Sequence, residues 1–385
     1  MAILFNTAAA RPAALPRRAL ARFTAEAAAR PQGALAHCPA HAETPLIALS
    51  GLAARLGVRQ VWFKDERGRM GLGSFKALGG AYAVMRLLEE ALRNATGRAP
   101  APEDLVAALA KPIARTLTVT AATDGNHGLS VAAGARVFGL NCVIFVHARV
   151  GPERIARIEA EGADVRVVDG LFDDAVAAAR EAGAKDGWAV IGDTALDPDD
   201  PHSGQVVQGY AALAHELHGQ LGRAGAQPSH VFIQAGVGGL AAAIFAGLAL
   251  QRGSDRPCSI CVEPETAPAL FASFEAGEAR RAPDAGATSM EMLDCHAPSA
   301  LAFETLNACA DAFQTVTDAR AEAAAALLAS PEGGDPALPC TPTAAAGLAG
   351  LMAALEDADA AKRLGLGPDS EVVLMGTEGL GPYAA

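Results

Sequence analysis

Short apolar runs recur along this chain. Each is followed by a turn and then by an alanine-rich stretch long enough for a helix. Residues 61–63 and 117–120 read as strands, the first leading through a glycine-containing loop to a helix starting near Ser74, the second to a helix over 126–137. A strand over 142–146 precedes a helix over 151–161, and residues 164–168 and 188–191 continue the alternation. Later, 231–234 leads through a glycine turn to a helix over 240–250, and 259–262 and 371–375 complete the set. Repeated strand–helix units of this length force parallel sheets with right-handed crossovers, so the expected class is α/β. Ligand sites in such sheets lie beyond the carboxyl ends of the strands. Two stretches are expected to be irregular surface. One starts at Asn94 and runs past Pro102; the other is Asp197-Pro-Asp-Asp-Pro-His-Ser-Gly204, with two prolines and three acids.

With 385 residues the chain exceeds the roughly 250–300 at which single cores stop growing, so two lobes are expected. A net charge of −12 without a basic block argues against a nucleic-acid or anionic-membrane partner, and no apolar run reaches the ~18 residues of a membrane span. Seven scattered cysteines point to a reducing compartment, taken here as the cytoplasm, rather than to a disulfide scaffold. The one close pair, Cys258 and Cys261, lies in an apolar run that reads as a strand; no second pair completes a metal site, and no metal is expected. The arginine-bearing N-terminus, with no acid before Glu26, is expected to be a partly ordered arm.

Four motifs sit at strand ends. In Gly71-Leu-Gly-Ser-Phe-Lys-Ala-Leu-Gly-Gly80 a lysine lies just inside a helix start, with Ser74 as the expected N-cap. The positive helix end would lower the pKa of Lys76, as attack on a carbonyl carbon requires. In Ala122-Thr-Asp-Gly-Asn-His-Gly128 a turn opens a helix and offers N–H groups to an anion, along with Asp124, Asn126 and His127. Asp124 reads equally as a helix cap, and His127 as a packed helix residue. Gln234-Ala-Gly-Val-Gly-Gly-Leu240 reads as a phosphate cradle or as a structural turn; it lacks the Lys-Ser/Thr ending of a nucleoside-triphosphate loop and the full dinucleotide spacing. Gly376-Thr-Glu-Gly379 could place the Thr377 hydroxyl beside a ligand. Lys64 and Glu66 read as strand-edge charges.

Taken together, a lysine, an asparagine, a phosphate loop and a C-terminal hydroxyl suit one ligand, pyridoxal phosphate. The chain resembles the fold-type II (tryptophan synthase β-like) pyridoxal-phosphate enzymes, and within them most the diaminopropionate ammonia-lyases. The likeness runs from Thr44-Pro-Leu46 to Gly379. Threonine dehydratases share the lysine and the Gly-Asn-His segment but usually lack the preceding Thr-Asp pair. The resemblance implies two parallel-sheet lobes with the cofactor between them: residues 1–85 with 196–385 as the large domain and 86–195 as the small one. It implies Lys76 as the Schiff-base lysine, Asn126 on the ring 3-oxygen, and Gly236, Val237, Gly238, Gly239 and Leu240 at the phosphate. Thr377 would face the ring nitrogen. Asp124 would be a second acid–base group opposite Lys76, and Asp193 would face a substrate amino group, unless it is structural. The implied activity is β-elimination from a small amino acid, giving a 2-oxo acid and ammonia, in a homodimer. A hydroxy-amino-acid dehydratase (serine, threonine or 3-hydroxyaspartate type), a racemase, and a non-catalytic binding protein of the same fold stand as alternatives.

Three segments depart from that family. An aromatic residue and a Tyr-x-x-Ile-Pro-like stretch are replaced by Ala195-Leu-Asp-Pro-Asp-Asp-Pro-His-Ser-Gly204. Glu-Ser-Gly-Ala is replaced by Thr341-Pro-Thr-Ala344, and Cys-Gly-Glu by Cys295-His-Ala297. All three are expected on the substrate side, which leaves the substrate open while the cofactor side stays intact.

Overall fold

The structure, a computed structural model, describes all residues except 1, 10–12, 36, 37, 39, 108, 109, 124, 171, 196 and 381–385. Two sheets carry it. The strands are β1 (Ile3–Phe5), β2 (Leu46–Ala48), β3 (Gln60–Asp65), β4 (Thr118–Ala122), β5 (Asn141–His147), β6 (Asp164–Val168), β7 (Ala189–Val190), β8 (His230–Gln234), β9 (Cys258–Pro264), β10 (Ala312–Val316) and β11 (Glu371–Gly376). The larger sheet has the order β1-β10-β9-β8-β11-β3-β2, and the smaller β6-β5-β4-β7. Every pairing is parallel except the two at the edges of the larger sheet, where β1 runs against β10 and β2 against β3. Strands β8 and β10 are buried at every position, as expected where helices cover both faces of a parallel sheet. The covering helices Gly239–Arg252 and Pro342–Glu356 are correspondingly apolar nearly all round.

The helix Lys76–Thr96 joins the two sheets in one body. It packs against the helix Asn126–Phe138 at very short range. A Cβ on Gly80 would lie 2.7 Å from Ser130 Oγ, and one on Gly134 would lie 2.8 Å from Ala81 Cα, so neither position tolerates a side chain without separating the helices. Among the described residues, no helix is long and apolar enough to cross a membrane.

Several expectations need correction. The 197–204 stretch is not wholly irregular: Asp200 accepts from the backbone N–H groups of His202 and Ser203, and Pro201 opens the helix Pro201–Gly209. Proline at the first helical position sacrifices no hydrogen bond, so the residues taken as breakers are a start signal. The helix from Lys76 runs through Asn94 to Thr96 and stops at Gly97 with φ +71°. The described parts of the N-terminal segment are docked. Ile3–Phe5 pairs with β10, and the helix Arg17–Phe23 buries Ala19 and Phe23 and ties Arg18 to Asp199 at 2.5 Å. Strand β10 escapes a search for apolar runs because Gln314 and Thr315 interrupt it; inside the core, the Gln314 amide donates to the Gly350 carbonyl at 2.9 Å.

Lys64 and Glu66 are not edge charges either. Both are fully buried, as are Arg69 and nearly all of Glu216. Arg69 donates two 2.7 Å bonds to Glu66 and two 3.0 Å bonds to Glu216. Lys64 donates to Glu216 and, at 2.6 Å, to the Thr44 carbonyl. The four charges sum to zero, and each faces an opposite partner, which is the condition for burying charge. The network binds the entry to β2, the end of β3 and the helix Ala211–Arg223 into one block beneath the loop that leads to Lys76.

Candidate active site

Five loops open at carboxyl ends of parallel strands drawn from both sheets, and they line one cavity. The loop after β3 brings Phe75 and Lys76, that after β4 Thr123 and Asn126, and that after β7 Asp193 and Thr194. The loop after β8 brings residues 235–239, and that after β11 Thr377 and Glu378. This is the place where ligand sites form in such sheets.

Lys76 is the first residue of its helix. The residue before it, Phe75, makes no side-chain cap, so Ser74 does not play the capping role expected of it; it forms an isolated bridge with Glu378 instead. The Lys76 ammonium donates to Asp193 Oδ2 at 2.6 Å, and both side chains are about a fifth exposed, at 21% and 19%. Burial disfavours the charge on Lys76, but Asp193 outweighs it and holds the ammonium above its ordinary range. The same pairing, against the same burial penalty, holds the Asp193 carboxyl well below its own. The expectation of a depressed lysine pKa is therefore overturned in this arrangement. The effect of a helix end is ~0.3–1 kcal/mol, while an ion pair near a protein surface is worth several times that in Coulomb terms. Thr194 Oγ1 donates to the other Asp193 oxygen at 3.3 Å.

The turn after β4 is shaped by Thr123, whose hydroxyl accepts from the N–H groups of Gly125 and Gly128 at 2.9 and 3.0 Å. Asn126 then starts its helix with its side chain at the cavity. His127 is 4% exposed; its Nε2 meets the Ile191 carbonyl at 2.8 Å, and burial lowers its pKa, so the neutral ring packs under the Asp193 loop. Asp124 lies outside the described residues.

Gly236, Val237, Gly238, Gly239 and Leu240 wrap the entrance of the 14-residue helix Gly239–Arg252, where no side chain caps the first turn. Gly238 has φ +95°, and a Cβ there would press on Leu270 and Ala302 at 3.1 and 3.2 Å. A Cβ on Gly236 would lie 3.0 Å from Cys295 Sγ. An uncapped helix entrance with side chains excluded from its loop is a binding place for a phosphate.

Thr377 is buried, and its Oγ1 accepts from Gln234 Nε2 at 3.0 Å. The same Gln234 nitrogen, with its two protons, also faces the carbonyls of Ala344 and Met375 at 2.9 and 2.8 Å, so the three acceptors share those protons. Since Thr377 accepts from Gln234, its own proton is left to point elsewhere.

Tyr210, Glu378 and Gln234 are cavity residues that the sequence reading did not single out. Glu378 and Gln234 stood inside motifs that were chosen for their neighbours. Tyr210 joins two helices, 2% exposed, with its ring edge-on to Phe75 at 5.0 Å and no hydrogen-bond partner for its hydroxyl among the described residues. Burial pushes its phenol up to about 12. Two of the three departing segments also prove to touch the expected cofactor side rather than the substrate side alone: Cys295 lies against Gly236, and Thr341 bonds Glu378, which in turn bonds Asn126.

Residues 38–378 match the family of pyridoxal-phosphate dependent enzymes. The chain is 34% identical to the diaminopropionate ammonia-lyase of Escherichia coli (strain K12) over 340 residues, 87% of this chain and 84% of that protein. It is 31% identical over 250 residues to a probable D-serine dehydratase of Acidovorax sp. (strain JS42), covering 61% of this chain and 54% of that one. The crystal structure of the E. coli diaminopropionate ammonia lyase with an aminoacrylate-PLP azomethine reaction intermediate superposes with a TM-score of 0.86. It has 32% identity and covers 98% of this chain and 94% of that one.

Proposed function

The chain belongs to the pyridoxal-phosphate dependent enzyme family, and we propose that it is a β-eliminating ammonia-lyase of a small diamino acid, diaminopropionate or a near analogue. The fit of the site to the cofactor rests on what surrounds it: a lysine, an uncapped helix entrance cleared by glycines, and a hydroxyl with a free proton on one cavity. The observation that carries the substrate class is the charge of that cavity. Among its described lining residues the ionised carboxylate Asp193 and the acid Glu378 stand against one cation, Lys76. Once Lys76 is engaged with the cofactor, a second ammonium on the substrate is the natural partner for the carboxylate it leaves behind.

When bound, pyridoxal phosphate supplies an electron-withdrawing ring conjugated to the substrate Cα. Lys76 would hold it covalently, the N–H groups at Gly236, Val237, Gly238, Gly239 and Leu240 would bind its phosphate, and Asn126 its ring oxygen. The Thr377 proton would be donated to the ring nitrogen, leaving that nitrogen without a proton of its own; a weaker electron sink favours elimination over transamination. With the cofactor bound, Lys76 would take the Cα proton on its own face. Asp124 would serve the opposite face and so the other enantiomer. Asp193 would hold the substrate's β-ammonium protonated until it leaves as ammonia. The unsaturated amine so released hydrolyses to a 2-oxo acid and a second ammonia.

The test is a screen of purified enzyme with both enantiomers of diaminopropionate and serine, together with threonine and 3-hydroxyaspartate, reading 2-oxo acid and ammonia together. Two ammonia per 2-oxo acid with diaminopropionate is expected. Turnover confined to hydroxy substrates, with one ammonia each, would replace this reading by the dehydratase one, which the D-serine dehydratase relatives favour; racemisation alone would replace it by the racemase one. Pyridoxal phosphate bound without turnover of any amino acid would leave only a binding protein. The division into a large domain (1–85 with 196–385) and a small one (86–195), the homodimer and the cytoplasmic setting belong to the same proposal.

A further inference from the structure

Glu378 has no task in the reaction just described, yet its place is closely built. It follows Thr377 at the exit of β11, is 8% exposed, and pairs through an isolated bridge with Ser74, two residues before Lys76. Its Oε2 accepts from Asn126 Nδ2 at 2.5 Å and its Oε1 from Thr341 Oγ1 at 2.7 Å. Arg154, itself held to Glu291 at 2.5 Å, acts on it as a cation and Glu291 as an opposing acid. Burial raises the Glu378 pKa, and the two donated bonds oppose that rise.

In this arrangement Glu378 accepts at both of its oxygens. It therefore decides which end of the Asn126 amide faces it: the nitrogen turns to Glu378, and the second N–H of that nitrogen stays available for the cavity. A ring oxygen carrying negative charge needs such a donor, and it would be repelled by the amide oxygen. The Thr341 hydroxyl completes the arrangement by occupying the other carboxylate oxygen. Thr341 also caps the helix Pro342–Glu356 through the Ala344 N–H at 3.2 Å, so the relay is anchored to a long buried helix.

We propose that Glu378 is a positioning residue for the cofactor, fixing Asn126 as a hydrogen-bond donor, and that Thr341 fixes Glu378. The inference rests on the reading that pyridoxal phosphate occupies this cavity, but not on which amino acid is the substrate.

The test is a double-mutant cycle on cofactor affinity in the absence of substrate, using pyridoxal phosphate itself, with absorbance and the free cofactor after ultrafiltration as readouts. Asn126→Ala and Glu378→Gln are each expected to weaken binding about tenfold, the scale of one hydrogen bond to a charged group. The double variant is expected to be no weaker than Asn126→Ala alone. Glu378→Gln that binds like wild type, or that weakens binding equally in the presence and absence of Asn126, would overturn the proposal. If Glu378→Gln does not fold, Thr341→Val takes its place in the cycle: a loss with Val, absent in Asn126→Ala protein and restored by Thr341→Ser, supports the relay, and equal behaviour of Val and Ser refutes it. A wild-type protein that binds no pyridoxal phosphate would sink the proposed function first; a binding wild type with independent Asn126 and Glu378 effects sinks this inference alone.

Discussion

Replacing Asp193 by Asn tests the central pair of the site. The substitution keeps the shape of the side chain and removes the charge 2.6 Å from the Lys76 ammonium. With charge centres roughly 4 Å apart and an effective dielectric near 20, the lost attraction is ~4 kcal/mol, or about three pKa units on the lysine. The pair is only about a fifth exposed, so screening takes a modest part of this. What remains for Lys76 is the burial penalty, which lowers its pKa, opposed only by the raising effects of Tyr210 and Cys295. In the Asn variant the lysine should therefore titrate below its ordinary value, whereas in wild type it titrates above. The linkage has a definite sign. A lysine raised by its partner stabilises the fold fully below its unfolded pKa and loses that contribution as pH rises through the folded one. A carboxyl lowered by its partner stabilises above its unfolded pKa and loses that contribution as pH falls through the folded one. Both contributions are present at neutral pH, and both vanish in Asp193→Asn. The direct assay is the pH dependence of a ¹³C-dimethyl label on Lys76 in cofactor-free protein, read by NMR. A midpoint that fails to move, or that rises, would refute the account of this pair.

Three further outcomes follow from the packing. Gly238→Ala places a side chain at φ +95° and against Leu270 and Ala302, and should cost about 1–3 kcal/mol in denaturant titrations as well as cofactor affinity; a neutral result would mean the loop can relax. Glu216→Ala leaves Lys64 and Arg69 buried with too few carboxylates, and should destabilise the fold by about 3–5 kcal/mol; a loss under ~1 kcal/mol would show that water enters to replace it. Glu263 is buried, accepts from the Leu270 and Phe271 N–H groups, and is pushed by burial up to about 8. Its folded form keeps a proton that the unfolded form releases, so stability should fall as pH rises from the ordinary glutamate range toward 8, and this slope should flatten in Glu263→Gln; an unchanged slope would assign it to other groups.

The parallel α/β frame was legible because its inner strands are buried on both faces and must be apolar, as β5, β8, β9 and β11 are. Strand β10 was not, because its polar Gln314 is paid for by a carbonyl 36 residues away that no local window contains. The site motifs were legible wherever glycine is demanded by local backbone geometry, as at Gly238. The charge state of Lys76 was not, since it depends on Asp193, 117 residues distant. The same holds for Lys64: its sequence neighbours suggest an edge strand, while its partners Thr44 and Glu216 lie on other elements. Segments that differ from a family were readable as differences, but their side of the cavity was not. Thr341 bonds Glu378, and Cys295 lies against Gly236 at the cavity wall, on the side expected to hold the cofactor.

The close approach of the Lys76–Thr96 and Asn126–Phe138 helices has a consequence for how such a protein can change. Two ends of the site, Lys76 and Asn126, stand on the first residues of these helices, and their separation is set by main chain lying on small residues at Gly80 and Gly134. No bulky side chain acts as the spacer, so substitutions in the surrounding loops have little leverage on that distance. A chain mounted this way can exchange the loops around its cavity while the Lys76 and Asn126 side chains stay at the same spacing.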